Sequence, residues 1–187
     1  MVYAFMADGC EEVEALAVVD LLRRAGVETR MVSVHSRAYT HGSHGIVIGN
    51  DMMLEDVHPT AEDTLFLPGG GMGTQNLKAC EPLKQMLLSH AAAGGRIAAI
   101  CAAPSVLGSI GLLRGKKAVC YPGFESQLEG AQCGTEPVVT DGLITTSRGM
   151  GTAVLLGLEL VGLLVGKEVE RELAAGIMLP EQNTVEK

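Results

Sequence analysis

The chain has 187 residues, of which 47% are hydrophobic and 19% are charged, and this composition supports a globular domain with a buried core and excludes a disordered chain. Its net charge of −8 argues against a nucleic-acid-binding surface, which needs clustered positive charge. The start of the chain lacks the basic residues of a signal peptide, and no stretch reaches the ~18 uninterrupted apolar residues of a membrane span. We therefore expect a cytoplasmic protein without a membrane partner.

Short apolar runs typical of strands alternate with helical patterns along the chain. Strands that alternate with helices form a mostly parallel sheet covered on both faces, so we expect an α/β fold. We treat residues 1–187 as one domain that ends in a polar tail from about residue 181. The patterns predict strands over residues 2–7, 29–34, 64–67, 96–100, 118–119, 137–139 and 143–145, and helices over residues 11–25 and 82–93, directly after Cys101, and over 151–165.

The cysteines are odd in number and widely spaced, and no two of them form a CxxC pair. Such usage is typical of free thiols in a reducing cytosol rather than of a disulfide framework or a zinc site. The five residues are Cys10, Cys80, Cys101, Cys120 and Cys133.

Cys101 lies where a predicted buried strand runs directly into a predicted helix. The neighbouring side chains are small (Ala99, Ala102 and Ala103), and Pro104 suits the first turn of a helix. These are the requirements of a nucleophile elbow, in which a sharp turn exposes the reactive side chain. A sulfur at a helix N-terminus also lies in a positive dipole, so we expect the pKa of this thiol to be lowered. The alternative, an inert core cysteine, fits this context less well.

A glycine-rich segment, residues 67–73, follows the predicted strand over residues 64–67. It matches neither GxGxxG nor a Walker loop, and by itself it fits a tight turn equally well. In open α/β sheets, however, ligands bind at the carboxyl ends of strands, where both this segment and Cys101 are expected. We predict that the backbone amides of Gly70 and Ala102 bind a developing oxyanion there.

Glu14 shares one helical face with apolar residues such as Val18 and Leu21. A carboxyl group on such a face is buried, so its pKa should rise, and it is suited to donate a hydrogen bond to sulfur or to shuttle a proton. Asp8 and Glu11 have the spacing of a capping box. For Glu11 and Glu12 we favour interaction with the helix dipole or a subunit contact.

All five histidines precede Cys101, so none follows the cysteine in the chain. This order argues against a class I glutamine amidotransferase, which needs a later histidine for the same elbow cysteine. His41 and His44 lie in a His-Gly-Ser-His segment without an obvious third metal ligand, and we favour a surface loop. We therefore predict no metal and no cofactor.

Four segments together resemble the DJ-1 branch of the DJ-1/ThiJ/PfpI superfamily: residues 9–14, 67–70, 98–104 and 146–149. The resemblance implies a flavodoxin-like three-layer sandwich, like that of class I glutamine amidotransferases, and a homodimer. It implies that Cys101 is the oxidisable nucleophile and Glu14 its partner. Pocket positions are then Gly69 and Tyr121, and positions near the dimer interface are Glu11, Glu12 and Arg24.

Two positions depart from patterns within the superfamily. PfpI-type proteases carry histidine directly after the nucleophile, where this chain has Ala102, so we do not expect a protease. The eukaryotic branch carries histidine before a proline near the cysteine, where this chain has Tyr121 before Pro122. A phenol is a poor base near neutral pH, which leaves Glu14 as the expected proton shuttle.

The resemblance implies more than one activity. The first hypothesis is an enzyme of the glyoxalase III or deglycase type, in which Cys101 attacks small reactive aldehydes or glycated substrates. The alternative is a redox-sensing or chaperone protein of the stress response that acts through oxidation of Cys101. Bacterial members often carry a ThiJ label from thiazole monophosphate synthesis. The last alternative is a dimeric scaffold with an inert cysteine.

Overall fold

The computed structural model describes residues 1–180, and it contains a seven-stranded sheet with helices on both faces. The strands are β1 (Val2–Met6), β2 (Thr29–Ser33), β3 (Tyr39–His41), β4 (Val47–Gly49), β5 (Met52–Met53), β6 (Thr64–Leu67), β7 (Arg96–Ile100), β8 (Lys117–Ala118), β9 (Gln132–Cys133), β10 (Val138–Asp141) and β11 (Ile144–Ser147). The helices are α1 (Glu12–Arg24), α2 (Gly71–Ala79), α3 (Glu81–Ala92), α4 (Pro104–Ser109), α5 (Ala153–Val165) and α6 (Lys167–Gly176).

The spatial order of the central sheet is β10-β11-β7-β6-β1-β2-β5. All neighbouring strands in it are parallel except β10 and β11, which form an antiparallel pair. β3 pairs with β4 in a separate hairpin, and β8 pairs with β9. The mostly parallel sheet confirms the predicted α/β class.

The core has two layers because successive side chains of a strand point to opposite faces. Leu65 and Leu67 of β6 belong to the apolar cluster that also contains Leu77 of α2 and Leu87 of α3. Phe66, between them, belongs to the cluster on the other face, which contains residues of α1 and α5. This burial on both faces explains why the central strands are continuous apolar runs.

Several predicted boundaries agree with the structure to within a residue or two, but helices α2 and α6 and several short strands were missed. Helix α2 contains Gly71 and Gly73, which lower helix propensity, and it is stabilised where Leu77 enters the core. Helix α6 follows Gly166, which has a φ of +106°, and it packs Val169 and Leu173 against the core. The polar tail predicted from residue 181 lies outside the described residues.

The carboxyl ends of β7, β6 and β1 lie side by side in the sheet. From β1 the chain continues to β2 on one side, whereas from β6 it continues to β7 on the other. Connections that leave in opposite directions open a crevice between the two strands, which is where such sheets bind ligands. Among residues 1–180, every helix is too short or too polar to cross a bilayer.

Candidate active site

Cys101 occupies a sharp turn between β7 and α4, and its φ of +64° lies in the left-handed region that side chains rarely adopt. Backbone hydrogen bonds hold this conformation. The amide of Cys101 donates to the carbonyl of Ser147 at 3.0 Å, and its carbonyl accepts from the amide of Tyr121 at 2.8 Å. A strained, well-supported turn of this kind is the structural definition of a nucleophile elbow.

The carboxyl group of Glu14 contacts the half-buried Cys101 side chain from the neighbouring helix α1. Glu14 is 1% exposed, and its carboxyl lies close enough to the Cys101 thiol for each group to change the pKa of the other. Its Oε2 atom also accepts the backbone N–H of Gly69 at 3.0 Å. The backbone N–H groups of Gly70 and Ala102 reach the same sulfur. The structure therefore brings together around Cys101 four residues that we expected there from the sequence: Glu14, Gly69, Gly70 and Ala102.

Two glycines make this approach of β6 to the cysteine sterically feasible. A Cβ atom on Gly69 would lie 2.5 Å from the Cβ of Cys101 and would overlap Oε2 of Glu14. Gly70 has a φ of +89°, and a Cβ there would lie 2.6 Å from the amide nitrogen of Glu11. Gly69 therefore accommodates no side chain while Cys101 and Glu14 stay in place, and Gly70 accommodates none while the backbone before α1 stays in place.

Burial raises the pKa of Glu14 to about 7, and the nearby charge of Glu11 acts in the same direction. Burial also raises the pKa of the Cys101 thiol to about 12, with a further contribution from the Glu14 carboxylate. The expectation of a lowered thiol pKa was therefore wrong. The amides of Gly70 and Ala102 do lower the pKa, but burial and the carboxylate outweigh them.

Between pH 7 and 12 the two side chains hold one proton between them. A thiol that attacks an electrophile must lose its proton, and the carboxylate of Glu14 is positioned to accept it. The N–H groups of Gly70 and Ala102 are in place to stabilise negative charge at the reacting centre. The chemistry that this arrangement supports is addition of sulfur to an electrophile with proton transfer to carboxylate.

Tyr121 lies at the outer side of the site, where half of its surface is exposed. Its ring faces Gly149, because a Cβ on this glycine would lie 3.3 Å from Cδ2 of Tyr121 and 3.8 Å from Oε1 of Glu14. Gly149 is thus a residue of the site that we did not single out from the sequence. Its only signal was its place in the Thr-Ser-Arg-Gly segment, residues 146–149.

The acidic residues at the start of α1 have contacts within the chain. Glu11 itself caps the helix, accepting the N–H of Glu14 at 2.6 Å, so the predicted capping box of Asp8 and Glu11 was wrong. Asp8 instead pairs with Arg37 and accepts the amide of His41. The Asp8 carboxylate requires these partners because its partial burial would otherwise disfavour the charged form.

The expected interface residues Glu12 and Arg24 differ in their surroundings. Glu12 is 2% exposed, whereas Arg24 is exposed and pairs with Asp20 of the same helix at 2.5 Å. A single chain does not test an interface, so the role of these residues and of Glu11 in a dimer stays a prediction.

His44 lies beside the two acidic residues rather than beside His41. Its Nδ1 atom is 2.8 Å from Oε2 of Glu12 and 3.9 Å from Oε1 of Glu11. Hydrogen bonds from His44 are the main reason why the pKa of Glu12 falls to about 2, despite its burial. The His-Gly-Ser-His segment offers no obvious third metal ligand in the sequence, whereas the fold brings the two carboxylates of Glu11 and Glu12 to His44. Because Glu12 is already hydrogen-bonded to His44, we interpret this cluster as a polar contact that joins the β3–β4 hairpin to α1.

Comparison with known proteins identifies the family. The model of the DJ-1/PfpI family matches residues 1–163. Protein DJ-1 homolog B of Arabidopsis thaliana is 39% identical over 93% of this chain, which spans only 40% of that longer protein. Protein dj-1beta of Drosophila melanogaster is 35% identical, with 93% of this chain and 94% of the relative covered. A Pyrococcus abyssi protein named as a deglycase is 34% identical over 84% of this chain and 95% of its own length.

A solved structure described as oxidised Toxoplasma gondii DJ-1 superposes with a TM-score of 0.90 at 36% identity. It covers 95% of this chain and 97% of its own. The shared architecture confirms the three-layer, flavodoxin-like fold. The extent of these matches, together with the agreement of the four sequence segments, leads to one conclusion: the chain belongs to the DJ-1/PfpI family and, within it, to the DJ-1 branch.

Proposed function

We propose that the protein is a cysteine-dependent enzyme that acts on small reactive carbonyl compounds, of the glyoxalase III or deglycase type. The contact between the Glu14 carboxyl and the Cys101 thiol carries this proposal, because it supplies a nucleophile together with its base. The amides of Gly70 and Ala102 at the same sulfur support it as oxyanion donors. Kinship with an archaeal protein named as a deglycase supports the substrate class.

The proposed reaction begins when the Cys101 sulfur adds to the aldehyde carbon while the Glu14 carboxylate accepts the thiol proton. The carbonyl oxygen becomes the hydroxyl of a hemithioacetal when Glu14 returns that proton, and the two amides stabilise the oxyanion in between. With a 2-oxoaldehyde, Glu14 then removes the proton from C1, and the C2 oxygen is protonated, which gives an enediol. Return of a proton to C2 with loss of the C1 hydroxyl proton completes the isomerisation to a thioester. Water hydrolyses the thioester to the 2-hydroxy acid and frees the thiol, so methylglyoxal and water yield lactate.

The test is lactate formation from methylglyoxal by purified protein. Cys101→Ala should abolish turnover, and Glu14→Gln should reduce it by about 10²-fold or more, as expected for loss of a general base. Cys133→Ala is the control, since this exposed cysteine lies outside the site. If the wild-type protein shows no turnover that depends on Cys101, the proposal is wrong.

A redox-sensing role is the second candidate, because the relative from Toxoplasma gondii was solved in a form described as oxidised. In this chain a sulfinate at Cys101 would accept hydrogen bonds from protonated Glu14 and from the Gly70 and Ala102 amides. Limited hydrogen peroxide should then add two oxygen atoms to Cys101 before any other cysteine. Equal oxidation of all five cysteines, measured by peptide mass spectrometry, would count against it.

We further propose that the protein forms a homodimer through the outer face of α1. Val13 and Leu16 on this face are 47% and 37% exposed, which is unusual for apolar residues placed one turn apart on a helix. Glu11 and Glu12 lie on the first turn beside them. A cytoplasmic location is also our proposal, and it is supported by five free cysteines.

A further inference from the structure

Glu11 lies directly behind the pair of Cys101 and Glu14, although the mechanism above does not use it. We propose that Glu11 is a positioning residue: it holds the Glu14 carboxyl against Cys101 and sets the pH at which the cysteine becomes reactive. This inference rests on the proposed role of Glu14 as the proton acceptor. It gives Glu11 a task that differs from the subunit contact that we expected from the sequence.

The geometry behind this proposal is a closed ring of three hydrogen bonds. The Glu11 side chain accepts the backbone N–H of Glu14 at 2.6 Å. The backbone N–H of Glu11 donates to the carbonyl of Gly69 at 3.1 Å. The N–H of Gly69 in turn donates to Oε2 of Glu14 at 3.0 Å. The ring joins the first turn of α1 to the loop after β6, and Cys101 lies against two of its members.

A glutamate is an unusual choice for the helix cap at this position. Serine, threonine, asparagine and aspartate are the favoured N-cap residues, because their short side chains reach the N–H groups of the first turn directly. Glu11 reaches the N–H of Glu14 only by folding its longer side chain back, and in this position the side chain is 15% exposed. This partly buried carboxylate brings a negative charge close to Glu14, which a neutral cap would not supply. The charged groups that face it are Glu12 on the same helix and His44 from the segment between β3 and β4, whose Nδ1 atom is 3.9 Å from Oε1 of Glu11.

This charge has a defined effect on the site. The charge of Glu11 is among the causes that raise the pKa of Glu14, after burial. A neighbouring negative charge favours the protonated carboxyl, so its removal should let Glu14 ionise at lower pH. Glu11 thus has two separable contributions: a hydrogen bond that orients Glu14, and a charge that raises the pKa of Glu14.

Two substitutions separate these contributions. Glu11→Gln keeps an oxygen that accepts the N–H of Glu14 but removes the charge, whereas Glu11→Ala removes both. The measurement is the rate of Cys101 alkylation by iodoacetamide between pH 5 and 9, followed by quantitative peptide mass spectrometry so that the other cysteines do not interfere. Glu11→Asp keeps both the charge and a cap, and Asp20→Asn serves as the control because Asp20 is an exposed residue of the same helix.

We expect Glu11→Gln to shift the midpoint of the pH profile to lower pH while the rate at high pH stays near that of the wild type. Glu11→Ala should show the same shift and also a rate at high pH that is several-fold lower, because Glu14 loses the hydrogen bond that orients it. Glu11→Asp and Asp20→Asn should both keep the wild-type midpoint. If Glu11→Ala does not fold, Glu11→Gln and Glu11→Asp still decide the question.

Two results would overturn the proposal. One is a Glu11→Gln profile that coincides with the wild-type profile. The other is a change in alkylation that accompanies loss of the dimer in light scattering, since Glu11 would then act through the interface. Failure of the proposed enzyme activity is distinguishable from both, because it would appear as absent methylglyoxal turnover while the alkylation profiles still shift as expected.

Discussion

Cys101 and Glu14 titrate as one unit, because each contributes to the pKa of the other. With a pKa of about 7, half of the Glu14 carboxyl groups are ionised at neutral pH, although this side chain is 1% exposed. The thiol, with a pKa of about 12, keeps its proton while the carboxylate is ionised. Reactivity at neutral pH therefore depends on transfer of the thiol proton to Glu14 during attack rather than on a standing population of thiolate.

The first prediction concerns the pH dependence of Cys101. The rate of its alkylation should rise with a midpoint near pH 7 in the wild-type protein, where Glu14 becomes available as a base. In Glu14→Gln this step should disappear, and the rate should rise only with ionisation of the thiol. Removal of the carboxylate should also lower the pKa of Cys101 below about 12, which ultraviolet absorbance of the thiolate would report. A step near pH 7 that survives in Glu14→Gln would contradict this assignment.

The second prediction concerns stability, because a raised carboxyl pKa destabilises the folded state once the pH exceeds the ordinary value. The unfolded chain ionises near 4.5 and the folded chain near 7, so the contribution of the protonated form is complete below pH 4.5 and is lost as the pH rises to 7. The loss is about 3 kcal/mol. The Glu14→Gln variant has no carboxyl group to ionise at this position, so it should lose none of this free energy of unfolding. Its stability relative to the wild type should therefore increase as the pH rises from 4.5 to 7.

Urea unfolding of both proteins at pH 4.5, 6 and 7.5 measures this difference directly. Glu28→Gln is a suitable control, since Glu28 lies at the surface outside the site. A constant difference between wild type and Glu14→Gln across these pH values would show that the folded-state pKa of Glu14 is not raised.

The burial of Glu14 was predictable from the sequence because helical spacing alone places it among Val18 and Leu21. The direction of the shift in the Cys101 pKa was not predictable from the sequence. A dipole argument considers only the local chain after the cysteine, whereas burial and the Glu14 carboxylate, supplied by a distant helix, depend on the assembled site. The capping role of Glu11 was missed for a similar reason, because its side chain folds back on its own helix and Asp8 pairs with Arg37 instead.

Among the elements, the approach of the loop after β6 to the elbow decides whether a site forms at all. The third prediction is that Gly69→Ala disrupts it, because the added methyl group would lie 2.5 Å from the Cβ of Cys101. Relief of this contact requires movement of the elbow or of Glu14. We expect a loss of stability of about 1–3 kcal/mol, as for other overpacked positions, and at least a tenfold loss of Cys101 alkylation at pH 7.5.

Gly71→Ala is the matched control, two residues further along the chain at the first residue of α2. Among residues 1–180, no atom lies within 4 Å of a Cβ built on Gly71, and alanine favours the helix that begins there. This variant should be at least as stable as the wild type and equally reactive at Cys101. Equal effects of the two substitutions would show that general helix and loop propensities, rather than the contact with Cys101, explain the loss.

The elements that the sequence patterns predicted are those with enough apolar residues to show a period, such as β6, β7 and α5. The β3–β4 hairpin was missed because each of its strands has only three residues, and it is held by paired polar groups such as Glu12 and His44. Contacts of this kind join residues far apart in the chain, so they leave no periodic signal in the sequence.

At the scale of the molecule, the order of the strands brings the site together from three separate segments of the chain. Glu14 follows β1, Gly69 and Gly70 follow β6, and Cys101 follows β7, and these three strands are neighbours in the sheet. The general rule for open α/β sheets predicted that the segment after β6 and Cys101 meet, whereas the approach of Glu14 to Cys101 was expected only from the family resemblance. A TM-score of 0.90 with a relative of 36% identity indicates that the fold that positions these segments tolerates extensive sequence change.

The last prediction concerns assembly. If the outer face of α1 is a dimer interface, light scattering should give a mass twice the 19.5 kDa of one chain. Leu16→Glu would then bury an unpaired charge in an apolar contact, which is costly enough to raise the dimer dissociation constant by about 100-fold or more. Leu143→Glu is the matched control, because Leu143 is 41% exposed, close to the 37% of Leu16, but lies between β10 and β11.

The reactivity of Cys101 in the Leu16→Glu variant would then show whether assembly matters to the site. Glu11, Glu12 and Glu14 share the first turns of α1 with Leu16, so an interface on this helix lies one layer away from the buried carboxyl. The ring of hydrogen bonds through Glu11, Gly69 and Glu14 closes within one chain, and we therefore expect the monomeric variant to keep the pH midpoint of the wild type. A shifted midpoint would mean that the partner subunit contributes to the environment of Glu14, and a wild-type protein that is monomeric at all concentrations would contradict the interface itself.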